Sequence, residues 1–364
     1  MKKIIINTIK TDSQASNIFD FTRFIAALVV FLFHFYLPLP GYQAVMVFFV
    51  LSGYFISSTV LKAVKENRWS WTDYLLKRIV RLWIVLIPCL ILTFLWAEVQ
   101  LSIFGSNQEI AKYLDWKTFL GNLFFLQGIL VENFGLNGPL WSLSYEFWYY
   151  IMFPCLVLMI WSEKSIHRLV YAFLLILISL VIGGKITLYF LVWLLGAVIP
   201  LIKPLNIKYR ALIIILFILS TLSVLISMKA YVFLEGLPQI IPDLFIGICF
   251  SIWIFLVICV FANRTSKSRF GISKRLAGFS YTLYLSHYPL ANIIFTWIGS
   301  SLWIFRDTPL SVKLLLAASV LLYAWVLSLL TEKHTARVGK YVSRFIFPNK
   351  HQSIKREVNE KVPS

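Results

Sequence analysis

Runs of about 20 apolar residues recur from one end of the chain to the other, and a helix of that length matches the hydrocarbon thickness of a bilayer. No other feature restricts the fold as strongly, because a backbone in lipid must satisfy its own hydrogen bonds. The reading is an all-α fold, a polytopic bundle of membrane helices. Candidate spans are residues 22–38, 44–61, 79–97, 140–161, 169–183, 187–202, 211–228, 243–262, 278–298 and 312–330, ten in all. The segment 119–131, FLGNLFFLQGILV, is apolar but short, and reads as interfacial or re-entrant. The chain is 59% hydrophobic and 14% charged, well above the apolar share of about 45–50% in soluble domains.

The formal charge of +18 would suggest nucleic acid in a soluble protein. Its distribution suggests a membrane instead. With the N-terminus cytoplasmic, the inner segments hold 28 of the Lys and Arg residues and the outer segments six, namely Lys112, Lys117, Lys185, Lys229, Arg306 and Lys313. That asymmetry is the positive-inside pattern. An extra span at 119–131 would invert every later loop and destroy it. Ten spans with both termini inside are therefore expected, with anionic lipid rather than nucleic acid as the basic face's contact. The organisation is a cytoplasmic arm (1–19), a transmembrane domain (20–331) and a basic cytoplasmic tail (332–364). The longest outer loop, 98–139, shows no strand-and-helix alternation, and no soluble domain is expected. The absence of an internal repeat weakens a transporter built from inverted halves. No small-residue cleavage site follows the first apolar run, so that run reads as an uncleaved span. Cys89, Cys155, Cys249 and Cys259 all lie in apolar runs without metal-ligand spacing; they read as small buried hydrophobes, and no metal is expected.

Polar groups that the spans cannot avoid mark where chemistry can sit. In Asp20–Phe35, DFTRFIAALVVFLFHF, ten residues separate Arg23 from His34. A helix places those two about 16 Å apart along its axis. Asp20 is expected to cap the first helix and to orient Arg23. His34 is either a hydrogen-bonded structural histidine or a general base, since imidazole titrates near neutrality. Glu146, in LWSLSYEFWYY, enters from the outside at a depth of about 10 Å, and His34 lies about 6 Å deep. The two can meet, as carboxylate and imidazole do in hydrolytic triads; alternatively Glu146 is a lone interior carboxylate paired with a tyrosine or tryptophan. Ser142 shares the face of Glu146 at i,i+4 spacing.

Arg78 and Arg81 lie three residues apart at the inner mouth of the third span. Singly each reads as an anchor; together with Arg23 they suit a polyanionic ligand, because guanidinium forks bind phosphates in bidentate geometry. Ser52 and Gly53 fall in mid-span, where small residues either let helices pack closely or leave room for a thin ligand. His287, in FSYTLYLSHYPL, is mid-membrane and is either structural or part of the same cavity.

Five motifs, in order, resemble the membrane acyltransferase-3 family: Asp20-Phe-Thr-Arg23 with His34, Phe48–Phe55, Arg78-Ile-Val-Arg81, Leu140–Glu146 and Ser280–Pro289. The resemblance spans about residues 17–330. Tyr54 stands where phenylalanine is commoner and Ser286 where tryptophan is. Some members carry an appended SGNH domain with its own serine, and that second site is not expected here. The resemblance implies a bacterial inner-membrane O-acyltransferase that moves an acetyl group from acetyl-CoA to a sugar hydroxyl of a surface polysaccharide or lipid-linked glycan. By position, Arg23, Arg78 and Arg81 would hold the CoA phosphates, with pantetheine passing Ser52 and Gly53. His34 would be the base, supported by Glu146, with Ser142, Tyr145 and His287 along the substrate channel. The rival readings are a polysaccharide polymerase or flippase, which would be expected to carry cations facing outward or within the spans, and a proton-coupled transporter using Glu146 and His34 as a relay.

Overall fold

The computed structural model describes residues 5–105, 108–205, 209–229, 233–234, 236–265, 272–299 and 308–346. Of the Lys and Arg residues counted in the charge pattern, Lys2, Lys3, Lys208, Lys267, Arg269, Arg306, Lys350, Lys355, Arg356 and Lys361 lie outside the described residues, as does His351. Within them the chain forms α1 (Gln14–His34), α2 (Gly41–Lys65), α3 (Trp71–Phe104), α4 (Gln108–Lys112), α5 (Trp116–Leu123), α6 (Leu140–Trp161), α7 (Ser165–Ala197), α8 (Arg210–Ser227), α9 (Ile240–Phe261), α10 (Ile272–Gly299), α11 (Leu310–Leu330) and α12 (Thr335–Ile346). No strand occurs among the described residues.

Seven helices of the described residues are long and apolar enough to cross a membrane: α1, α2, α3, α6, α7, α9 and α11. The shorter α8 is also apolar. α10 falls short of the same criterion because it carries Ser280, Thr282, Ser286 and His287, all buried inside the bundle. Large apolar side chains point outward instead, among them Leu169, Phe173 and Leu180 on α7 and Ile215, Leu219 and Ile226 on α8. Such a surface would be an aggregation hazard in water and is at home in lipid. This is a multi-pass membrane protein.

One end of the bundle gathers distant parts of the chain. The amide of Asn7 donates to Pro200 O at 2.8 Å, and that of Gln14 to Arg264 O at 2.9 Å. Thr8 and Ile9 share a groove with Lys62 and Arg68, and Trp71 Nε1 donates to Tyr171 OH at 3.2 Å. Thr335 and Gly339 of α12 pack beside Asp73 and Lys77 of α3. Both ends of α7 therefore lie at this end of the bundle, so its axis must reverse. It does so at Gly183 (φ 82°, ψ 165°), a left-handed conformation that glycine alone adopts freely. Thr187 Oγ1, which donates to Ser179 O at 3.3 Å, clasps the turn; in a straight helix residues eight apart are separated by about 12 Å.

Three details of packing position the interior. Gly53 of α2 and Gly196 of α7 form a reciprocal notch: a Cβ on Gly53 would stand 2.1 Å from Trp193 O, and one on Gly196 would stand 1.8 Å from Val50 O. Pro154 of α6 has no N–H for the Tyr150 carbonyl, and Tyr74 OH of α3 donates to that carbonyl instead at 3.0 Å. Pro289 likewise frees the Leu285 carbonyl of α10, which accepts from Asn137 Nδ2 at 3.0 Å and from Cys89 Sγ at 3.0 Å. The start of α6 is thereby pinned against α10 one turn before Pro289.

Asp20 does not cap the first helix. α1 begins six residues earlier, with Ser13 as N-cap, its Oγ accepting from Ser16 N at 3.2 Å. A serine just ahead of the true first turn supplies that acceptor, so Asp20 is left for a side-chain partner. The segment 119–131 does not cross. α5 is eight residues long, about 12 Å of rise, and turns follow it. Asp115 caps it, and bonds from the Thr118 hydroxyl (2.5 Å) and amide (3.0 Å) hold this surface carboxyl below its usual range.

Candidate active site

Five helices and the turn after α11 enclose a cavity of about 320 Å³. Its polar lining comes from Arg23 of α1, Ser52 and Thr59 of α2, Arg78 and Arg81 of α3, Ser142, Glu146 and Tyr150 of α6, Ser280, Tyr281 and Tyr284 of α10, and Glu332 beyond α11. The spacing explains the convergence. Arg78 and Arg81 are i,i+3 on α3, and Ser142, Glu146 and Tyr150 are successive i,i+4 positions on α6, so each set shares one face.

The arginines are held by aromatic faces and carboxylates. Arg23 pairs with Asp20 and lies over Phe55 at 5.1 Å. Arg78 lies over Tyr74 at 5.5 Å and Tyr150 at 6.0 Å. Arg81 faces Tyr150, Glu146 and Glu332. The Nε–H groups of Arg23 and Arg78 are buried without a hydrogen-bond partner. A buried guanidinium N–H without an acceptor is costly, by about 1–3 kcal/mol or more. A cavity that keeps two of them is suited to an anion with several oxygen acceptors.

Glu146 takes its hydrogen bonds from Ser52 Oγ at 3.0 Å and from Tyr150 OH, the tyrosine partnership weighed above, rather than from an imidazole. His34 stands elsewhere. Its Nδ1 lies 3.0 Å from Nε2 of His287, a wholly buried residue whose Nδ1 lies 2.8 Å from the Leu283 carbonyl. Tyr288 meets the His34 ring edge-on at 5.0 Å. Neither histidine lines the arginine cavity. The cavity does reach Tyr284, one turn before His287 on α10. There Tyr284 OH and Ser142 Oγ bond at 2.7 Å, and Phe48 packs edge-on against Tyr284 at 5.6 Å. Ser142, Tyr284 and Phe48 thus form the cavity wall on the α10 side, where the chain continues one turn to His287.

Of the residues read from the sequence, Arg23, Arg78, Arg81, Ser52, Ser142 and Glu146 meet in one cavity, and His34 meets His287 next to it. Gly53 faces away, against the α7 backbone; the packing reading accounts for it. Tyr145 also faces away, stacked on Phe49 at 6.0 Å and edge-on to Trp141 at 5.0 Å. Sequence reasoning missed Glu332, whose carboxylate accepts from Thr282 N at 3.2 Å and Thr282 Oγ1 at 3.0 Å. It sits in a polar stretch after the last apolar run and carries no local signal. Tyr150 was findable, being i,i+4 from Glu146. Among the described residues no cluster of three or more His, Cys, Asp or Glu side chains is placed to hold a metal.

A family model described as an acyltransferase domain matches residues 17–332. An O-acetyl transferase of Shigella phage Sf6 is 30% identical over 193 residues, covering 47% of this chain and 54% of the phage protein. An uncharacterised protein of Haemophilus influenzae is 24% identical over 144 residues, covering 38% of this chain and 58% of that protein. The chain thus spans about half the length of the curated relatives it matches. No solved structure matches. With the family match running from the first turns of α1 through Glu332, and so across every element that lines the cavity, the chain belongs to the acyltransferase-3 family.

Proposed function

We propose that the protein is an integral-membrane O-acetyltransferase that moves an acetyl group from acetyl-CoA to a sugar hydroxyl of a surface polysaccharide or lipid-linked glycan. The observation that carries this reading is the cavity with three arginines and two unpartnered guanidinium N–H groups. CoA is a polyanion that presents phosphate oxygens to such donors. The phage relative's description as an O-acetyl transferase supports acetyl as the group and oxygen as its acceptor.

In this reading the CoA phosphates occupy the Arg23, Arg78 and Arg81 cavity, and the pantetheine runs past Ser52 toward the Ser142–Tyr284 wall. The acyl end crosses that wall to reach His34. His34 accepts the proton of the sugar hydroxyl as the oxygen attacks the thioester carbonyl. The C–S bond breaks, and the CoA thiolate leaves with the proton returned by the imidazolium. General-base help of this kind is worth about 10²–10⁴ in rate.

The orientation follows the same reading. The segments gathered at one end of the bundle include the basic stretches at Lys62–Arg68, Lys164–Arg168 and Lys333–Lys340. If that end is cytoplasmic, the hairpin in α7 makes ten crossings with both termini inside, in a bacterial cytoplasmic membrane. The positive-inside pattern supports this.

The test is the chemistry of the surface glycan. NMR spectra of polysaccharide from cells with and without the gene are expected to differ by an O-acetyl signal. Identical spectra, with the protein present in the membrane of the first strain, would refute the proposal.

A further inference from the structure

We infer that His287 is a positioning residue that locks His34 in one tautomer, with Nδ1 protonated and Nε2 bare, so that Nε2 of His34 is the basic atom. The inference deepens the acyltransfer reading and rests on it for the word basic; the tautomer itself rests on hydrogen bonds alone. The chain of contacts runs from a backbone carbonyl to the His34 ring. A carbonyl oxygen only accepts, so His287 Nδ1, at 2.8 Å from Leu283 O, must be the donor. In a neutral imidazole the other nitrogen then accepts. His287 Nε2 is thus an acceptor, and its partner at 3.0 Å, His34 Nδ1, must carry the hydrogen.

Packing leaves the relay little freedom. His287 is wholly buried, Phe31 closes on it edge-on at 5.6 Å, and the two imidazoles lie 5.0 Å apart between centroids. Leu283, which anchors the relay, is also fully buried. His34 is only half-buried, and its Nε2 lies on the other side of the ring from the nitrogen that meets His287. The arrangement does for one imidazole what a carboxylate does in a hydrolytic triad, fixing tautomer and orientation, but a second imidazole backed by a main-chain carbonyl takes the place of the acid. Glu146, engaged by Ser52 and Tyr150, is not needed for it.

Nitrogen-15 NMR of histidine-labelled protein in lipid tests the assignment without any activity, with His34→Gln identifying the His34 signals by difference. The expected spectrum has a protonated Nδ1 and an unprotonated Nε2 on His34; the opposite tautomer overturns the inference. Kinetics test the positioning role. His287→Phe keeps a ring but offers no acceptor, and is expected to lower kcat about 10–100-fold, as loss of an orienting partner does at metal-bound histidines. KM for acetyl-CoA should stay unchanged, because His287 is outside the arginine cavity. His287→Gln restores an acceptor near the position of Nε2 and should recover most of kcat. Equal losses in the two variants, or a loss confined to KM, would overturn the positioning role. If the parent shows the expected tautomer but transfers no acetyl group, the acyltransfer reading fails while the tautomer assignment stands. If the parent transfers acetyl with Nε2 protonated on His34, the assignment alone fails.

Discussion

Substituting alanine for Gly53 or Gly196 separates two roles a mid-membrane glycine can have, close packing and passage for a ligand. At Gly53 the new Cβ would be 2.1 Å from Trp193 O, and at Gly196 it would be 1.8 Å from Val50 O. A carbon–oxygen contact needs about 3.3 Å, so α2 and α7 must part locally by about 1.2 Å and 1.5 Å. The obstacles are main-chain carbonyls held within helices, Val50 O in α2 and Trp193 O in the last turns of α7, which cannot swing aside as a side chain would. Overpacking costs about 1–3 kcal/mol where side chains can adjust, and these two sites are expected at or beyond the upper end. In a thermal-unfolding assay on purified protein in detergent, a loss of about 3 kcal/mol should lower Tm by at least about 5 °C. The double variant should lose less than twice as much, because one separation of α2 from α7 relieves both contacts. Gly278→Ala is the control: its Cβ meets nothing within 4 Å, and replacing a helix-interior glycine gains up to about 1 kcal/mol. If Gly53→Ala melts with the parent and raises only the KM for acetyl-CoA, the packing account is wrong and the glycine serves the donor.

Other expectations follow from single contacts. Arg78→Ala should weaken CoA binding about 10–150-fold, the equivalent of a charge-assisted hydrogen bond of about 1.5–3 kcal/mol; an unchanged Kd by titration calorimetry would contradict the phosphate assignment. Tyr74→Phe strips the Tyr150 carbonyl of its donor and should destabilise the protein by about 1–3 kcal/mol. Adding Pro154→Ala, which supplies the missing helical N–H, should recover much of that loss, and strict additivity in unfolding measurements would count against it. Asn137→Leu should lower stability by about 0.5–1.5 kcal/mol, since it takes the amide donor from the Leu285 carbonyl, which keeps the Cys89 thiol, and frees the start of α6; an unaltered melting curve would show the pin to be dispensable.

The membrane class, the motif residues and the non-spanning character of 119–131 were legible because apolar run length and charge placement act locally along the chain. The fold-back in α7 was legible as two short spans, although the glycine that makes it lies in an unbroken apolar stretch. The partners inside the bundle were not legible. Depth counting from helix ends put Glu146 and His34 within reach of each other, but it carries no information on which face each presents. The structure turns Glu146 toward Ser52 and Tyr150, and His34 toward His287. Asp20 resembled a cap because the apolar run starts after it, while the helix itself starts at Gln14 under Ser13. Glu332 lay beyond the last apolar run, where only the turn of the chain back toward Thr282 brings it among the arginines.

The central claim is that a nucleotide-bearing donor bound among the arginines passes its acyl group to an alcohol activated by His34. The most direct measurement is transfer of radiolabelled acetyl from acetyl-CoA to glycan by proteoliposomes, comparing the parent with His34→Ala. The parent should label the glycan, and His34→Ala should do so about 10²–10⁴ times more slowly while still binding CoA. Transfer by His34→Ala at the parent's rate would contradict the claim.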